Sequence, residues 1–387
     1  MRCTPQCFWT KRVGSWLFGL LLVVGTAHAE PPAPNPDQLV QQLGHPSFRM
    51  REEAGKSLQA MGLAARAALT SGCQHSDPEI RQRSNRILMQ ILERDLQKRV
   101  QAFLNDPQHQ SPQGLPGIEI YQAAVGNAPK AVTLYAEMIR NHAALLDSVE
   151  RSPEQVGKRY AAACQELFIR MKPSRLFDAP TVCEQAEVAA LLVMGCHAQA
   201  ADADVPYAQL SNLLRVPALA HALNPNSGDD GEPMRRLFTA WANKQTNPQL
   251  APRLFLLAID SQLTAMLPLA RKQLDDPKAC PRGKGQAILV LGKFGGPDDR
   301  PRLIRLLDDA TVVHEVIVND TRSSIELRDI ALAMLIASDG DAIEQYPFDR
   351  VGRKALSYRD YYNYGFTGDA ARQKAQTLWR NQHLPMK

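Results

Sequence analysis

Apolar residues return at three- and four-residue spacing over most of this chain, which is the period of an amphipathic helix. Phe48, Ala54, Leu58 and Met61 make one such series, with Arg51 one turn in, and Ile80, Ile87 and Ile91 make a second around Arg83. Helix-length periodicity follows over Ala131–Val149, Pro153–Met171, Val182–His197 and Pro248–Leu267. Near the C-terminal end, Leu303, Ile304, Leu306 and Leu307 would bury the inner face of a further helix, and Leu327 to Leu335 another. One stretch breaks the period. Between Thr311 and Ser324, Val312, Val313, Val316, Ile317 and Val318 favour extended backbone. The pattern predicts an all-α chain with a short extended insertion near 311–324.

The helical series come with recurring turns. Leu43-Gly44-His45-Pro46-Ser47-Phe48 leads into the first, and 32 residues after Pro46 the segment Asp77-Pro78-Glu79-Ile80 leads into the second. A proline at the first helical position loses no hydrogen bond, Asp77 can cap, and Glu79 suits the positive end of the helix dipole. The device returns as Leu274-Asp275-Asp276-Pro277 and Leu307-Asp308-Asp309-Ala310, 33 residues apart. Between them, Leu291-Gly292-Lys293-Phe294-Gly295 and a Pro-Asp turn precede Leu303 to Asp309, with Gly292 and Gly295 expected to end one helix and Pro301 to start the next. These segments resemble the HEAT repeat of the type also found in phycobilin lyases and in many exported bacterial proteins, and the match covers residues 39–95 and 270–337. The resemblance implies an α-solenoid of stacked helical hairpins, with the insertion at 311–324 on one face. It divides the chain into N-terminal repeats over 37–107, irregular hairpins over 118–270, repeats with the insertion over 271–337, and an aromatic C-terminal cap over 338–387. Polar loops are expected at 108–117 and 224–232.

The start of the chain reads as an export signal. Arg2, Lys11 and Arg12 precede the apolar run Trp16–Val24, and Ala27-His28-Ala29 forms a small-x-small cleavage site, so residues 1–29 are expected to leave and Pro31 to Pro36 to act as a linker. The run is too short for a membrane span, which needs about 20 residues. The product is therefore expected to be periplasmic or secreted, without membrane insertion after cleavage. Cleavage removes three basic residues and no acidic one, leaving 42 against 40. A near-neutral chain gives no electrostatic case for nucleic acid.

Candidate chemistry is weighed against structural roles. His314-Glu315 lacks the second histidine of a zinc-protease helix, since position 318 is Val. Cys164, Cys183, Cys196 and His197 lack the close Cys pairs of zinc modules and read as buried thiols. Cys183 and Cys196 lie on one predicted helix, about 20 Å apart along its axis, too far for a disulfide. Gly283-Lys284-Gly285 and Gly292-Lys293 fall short of a phosphate loop, because Ala287 and Phe294 occupy required Gly and Ser/Thr positions. They read as helix ends. The doublets Asp275-Asp276, Asp298-Asp299 and Asp308-Asp309 read as turn caps rather than an acid-base pair. Arg81, Arg83 and Arg86 interleave with Glu79, Glu93 and Asp95 and read as a solvated face.

The C-terminal aromatics carry the strongest signal. Tyr358, Tyr361, Tyr362, Tyr364 and Phe366 place five of the chain's 24 Phe, Trp and Tyr residues ahead of a last helix, Asp369–Arg380, bearing Trp379. Such a run either covers the open end of a repeat stack or offers a partner-binding surface. With His314, Val316 and Val318 of the insertion, these five residues form the candidate partner site. The expected function is that of a non-catalytic exported scaffold for a protein or peptide partner, with no cofactor and no metal. The alternatives are an enzyme resembling the HEAT-repeat lyases and a purely structural component of the cell envelope.

Overall fold

A computed structural model describes residues 35–106, 114–171, 183–201, 203–318, 321–348, 356–359 and 361–384, so the expected signal segment lies outside the described residues. The chain divides into two compact units, Met1–Asp95 and Leu96–Lys387. The division falls inside α4, and most of the polar loop expected at 108–117 lies outside the described residues.

The first unit holds α1 (Pro36–Gln42), α2 (Phe48–Met61), α3 (Arg66–Gly72) and the first part of α4 (Pro78–Asn105). Its repeat period is 30 residues, because both α1 and α3, and both α2 and α4, begin that far apart. The spacing of 32 read from the prolines is therefore corrected. Pro46 precedes the N-cap Ser47, whereas Pro78 opens α4 itself. What truly repeats is a set of turn hydrogen bonds. Arg51 Nη1 donates to the His45 and Pro46 carbonyls at 2.8 and 2.9 Å, and Arg81 Nη1 donates to those of His75 and Ser76 at 2.6 and 2.7 Å. In each copy the histidine Nδ1 accepts a backbone N–H two residues on, from Ser47 and from Asp77. Leu43, Ala54, Leu58, Leu69, Ile80, Ile87 and Ile91 fill the core between the copies. Phe48, expected in that core, is exposed and lies under the Arg51 guanidinium.

The second unit is also mostly helical. It runs through α5 (Ile118–Val125), α6 (Pro129–Arg151), α7 (Val156–Arg170), α8 (Gln185–Cys196), α9 (Ala198–Ala201), α10 (Tyr207–Leu213), α11 (Pro217–Leu223) and α12 (Glu232–Lys244). Alternation of polar and apolar positions vanishes in α8, where Val188 to Met194 are all buried, because this helix is surrounded by its neighbours. Trp241 of α12 closes the cluster by donating from Nε1 to Tyr160 Oη at 3.0 Å.

Beyond α12 come α13 (Ala251–Asp260), α14 (Leu267–Asp275), α15 (Pro281–Phe294), α16 (Arg300–Arg305), β1 (Val312–Val318), β2 (Thr321–Glu326), α17 (Leu327–Asp339) and α18 (Asp369–His383). The periodicity over Pro248–Leu267 is cut at Asp260, where Gln262 takes a left-handed backbone conformation (φ 53°) and turns the chain into α14. The extended insertion is an antiparallel hairpin, β1 with β2, standing between α16 and α17. Gly292 does not end α15 as expected. It sits within that helix, and a Cβ there would lie 2.2 Å from Met334 Sδ of α17, so glycine is what lets the two helices close together. Gly283 lies in the first turn of α15, at its N-terminal end as expected, and Gly285 in the turn that follows.

Candidate functional site

The structure separates the predicted site residues into two groups. Tyr361, Tyr364 and Phe366 are about 1% exposed and form part of the core of α15, α17 and α18. Phe366 pairs through its backbone with Ser324 of β2, accepts from Ser323 Oγ at 2.9 Å, and stacks on Phe348 with ring centroids 4.6 Å apart. Tyr364 Oη donates to the Ser357 carbonyl at 2.6 Å. These three rings are therefore packed into the core, and of them Tyr361 alone also borders a surface hollow. Tyr358 is half-buried against the same core. Tyr362 and His314 do come together, half-buried, edge to face at 4.7 Å. Val316 and Val318 pair in the hairpin with Ser323 and Thr321 through their backbones, and their side chains lie outside the described residues.

Beside Tyr362 opens a groove. α13 supplies Pro252, Arg253 and Leu256 to one wall, the start of α15 supplies Cys280, Pro281 and Arg282, and Val312 and Val313 border it from β1, with Tyr207, Arg215 and Gln249 at the far end. Its volume is about 610 Å³. A hollow of about 300 Å³ adjoins it across Pro252, Leu256 and Arg282 and adds Gln286, Arg359, Tyr361 and Tyr362. A third, of about 490 Å³, continues from Tyr207 and Gln249 toward Tyr160.

Local sequence explains this geometry. Cys280 is the N-cap of α15 and its Sγ accepts from Gly283 N at 3.4 Å, while Pro281 opens the helix, so Arg282 projects from the first turn. Gly285 keeps α15 close to the hairpin, since a Cβ there would lie 3.0 Å from Val313 Cγ1.

The electrostatics are one-sided. No Asp or Glu lines the groove or the hollow beside Tyr362, and four arginines do. Arg215 and Arg253 have no ion-pair partner among the described residues. Arg282 donates to Tyr362 Oη at 3.3 Å, and Arg359, 71% exposed, reaches Asp260 at 3.4 Å. Arg253 Nε and Gln286 Oε1 are buried without a hydrogen-bond partner, and Gln286 as a whole is 5% exposed. A buried acceptor left unpaired costs about 1–3 kcal/mol.

No known protein family, curated protein or solved structure matches this chain. The site therefore has to be read from its own residues.

The remaining candidates are accounted for by structure. Among the described residues, no group of three His, Cys, Asp or Glu side chains is placed to hold a metal. Cys73, Cys164, Cys183, Cys196 and Cys280 are all free thiols. Burial pushes Cys164, Cys183 and Cys196 up to about 12, so they stay protonated. Cys183 precedes α8 instead of lying on it, as the sequence suggested. The aspartate doublets serve turns and ion pairs. Asp299 takes both Arg271 nitrogens at 2.7 and 2.8 Å and accepts Gly296 N, Asp275 accepts Arg302, and Asp309 accepts Thr311 N. Arg83 bridges Glu79 and Glu52.

The groove arginines were invisible to motif reading because Arg215, Arg253, Arg282 and Arg359 are scattered over four segments of chain. The only signal they carry is negative: none has an Asp or Glu three or four residues away.

Proposed function

We propose that this chain is a non-catalytic, exported helical-repeat protein of HEAT type, and that it holds a protein or peptide partner in the groove between α13, the start of α15 and β1. The 30-residue repeat of the first unit, and the pairs α14–α15 and α16–α17 with the hairpin inserted in the second, support the repeat reading. The observation that carries the partner reading is the acid-free groove lined by arginines that the fold itself leaves without carboxylates. Core and turn arginines in the same unit are matched to acids, so an unmatched set around one cavity points outward to a ligand.

A photocrosslinking amino acid placed at Val312 in cells, with Met89 in the first unit as control position, tests this. A discrete adduct at position 312 and none at 89 is expected. Absence of any adduct at 312 across growth conditions would contradict the reading. Export is tested separately, by sequencing the N-terminus of the mature protein, which is expected to begin at Glu30.

A further inference from the structure

The groove that we read as a partner site shows which chemistry it would accept. We propose that it takes an extended acidic segment of a polypeptide, with side-chain carboxylates seated on Arg253 and Arg282. This rests on the partner reading above and narrows it to one class of ligand.

Charge is the first argument. A guanidinium presents paired N–H donors that match a carboxylate bidentately. Elsewhere in this unit that pairing is satisfied internally: Arg271 holds Asp299, Arg302 holds Asp275, and Arg372 holds Asp329. Around the groove Arg359 reaches Asp260, but Arg215, Arg253 and Arg282 have no carboxylate among the described residues, and Arg253 Nε stays buried with its donor unused.

Gln286 separates a peptide from other polyanions. Gln286 is 95% buried, lines the hollow between Arg282, Arg359 and Tyr361, and its Oε1 has no donor. A phosphate or sulfate backbone offers only acceptors, whereas a peptide brings N–H groups along with its carboxylates. Apolar Pro252, Leu256 and Val313 line the groove together with the arginines, which suits a strand that carries both acidic and aliphatic side chains. The groove and the hollow beside Tyr362 run on from one another through Pro252, Leu256 and Arg282, which suits an extended segment over a compact ligand, whereas the third hollow carries Asp204 and lies beyond the acid-free stretch.

The test is fluorescence anisotropy on the whole protein. The probes are a labelled eight-residue peptide alternating Glu and Val, its Gln/Val counterpart, inorganic polyphosphate and a single-stranded DNA oligonucleotide. The Glu/Val peptide is expected to bind at least tenfold tighter than the Gln/Val peptide and to weaken with salt. Arg253→Gln and Arg282→Gln should each cost tenfold or more. Arg215→Gln, on an exposed side chain whose loss should leave the fold intact, should cost a smaller factor, and Arg253→Lys less than Arg253→Gln. Alkylation of Cys280, followed by mass spectrometry, should slow when the Glu/Val peptide is present.

Equal binding of both peptides would overturn the acidic class and leave a peptide-binding groove. Tighter binding of polyphosphate or DNA, abolished by Arg253→Gln, would overturn the peptide and leave an anion site. If no probe binds while the Val312 adduct still forms, the acidic class fails and the partner reading stands. Failure of both removes the two together.

Discussion

Arg271 and Arg282 sit on α14 and α15, two helices of one pair, yet one closes the fold and the other faces an open groove. Arg271 is locked onto Asp299, whose carboxylate also caps Gly296, so a single ion pair ties α14 to the turn before α16. Arg372 does the same at greater depth. It joins Asp329 of α17 to α18, reaches Asp369 as well, and lies over the Phe366 ring. Arg282 finds the hydroxyls of Tyr361 and Tyr362 but no carboxylate, and Arg253 beside it finds nothing for Nε. The contrast separates two uses of the same side chain. Where a guanidinium already has its carboxylate, removal should cost stability, and where it does not, removal should cost binding alone.

The largest effect should come from Arg372→Ala, which leaves Asp329 buried without its counter-charge and is expected to cost about 3–5 kcal/mol in urea unfolding. The sign of its pH dependence follows from Asp329. Burial pushes that carboxyl up to about 6 while Arg372 pulls the other way. A raised acid favours its protonated form in the folded state, so its contribution is present below about 3.8 and is lost as pH rises through about 6. The penalty of Arg372→Ala should therefore be larger at pH 7 than at pH 4. Arg271→Gln is next, at about 1–3 kcal/mol, because Asp299 keeps only part of its hydrogen bonding. Hydrogen bonding to Arg271 holds the Asp299 carboxyl below its ordinary value. That contribution is present above about 3.8 and fades as pH falls through the folded value, so wild type and Arg271→Gln should converge in acid.

Gln286→Leu reverses the sign. It removes the unpaired buried acceptor and should stabilise by about 1 kcal/mol while weakening the acidic peptide, the outcome expected when a polar group is kept for a ligand. Arg51→Ala should cost about 1 kcal/mol through the two turn carbonyls it leaves. Arg253→Gln should change the unfolding free energy least, within about 0.5 kcal/mol.

The same contrast explains what could be read from the chain beforehand. Helices were legible because Ile80, Ile87 and Ile91, or Leu303 and Leu307, carry their burial in their spacing. The hairpin was legible because five β-branched residues crowd one short segment. Proline spacing gives a repeat length of 32 rather than 30, because the geometry shared by the two copies lies in His45 with Arg51 and in His75 with Arg81. The aromatic tail was legible as a feature but not as a role, since Tyr364 and Tyr362 look alike in sequence and differ only in whether a core closes over them. The groove was not legible at all. Its arginines are brought together by tertiary packing, and what marks Arg215, Arg253 and Arg282 is a missing carboxylate, at which the lack of Asp or Glu three or four residues away only hints.

The account is tested most directly by urea unfolding of wild type and the Arg253→Gln/Arg282→Gln variant, each with and without the Glu/Val peptide, because a ligand of the folded state raises the midpoint by mass action. The two proteins should unfold at the same midpoint alone, and only wild type should shift when the peptide is added. A variant that unfolds much earlier without peptide, or that shifts as far as wild type with it, would contradict the claim that these arginines are kept for a partner.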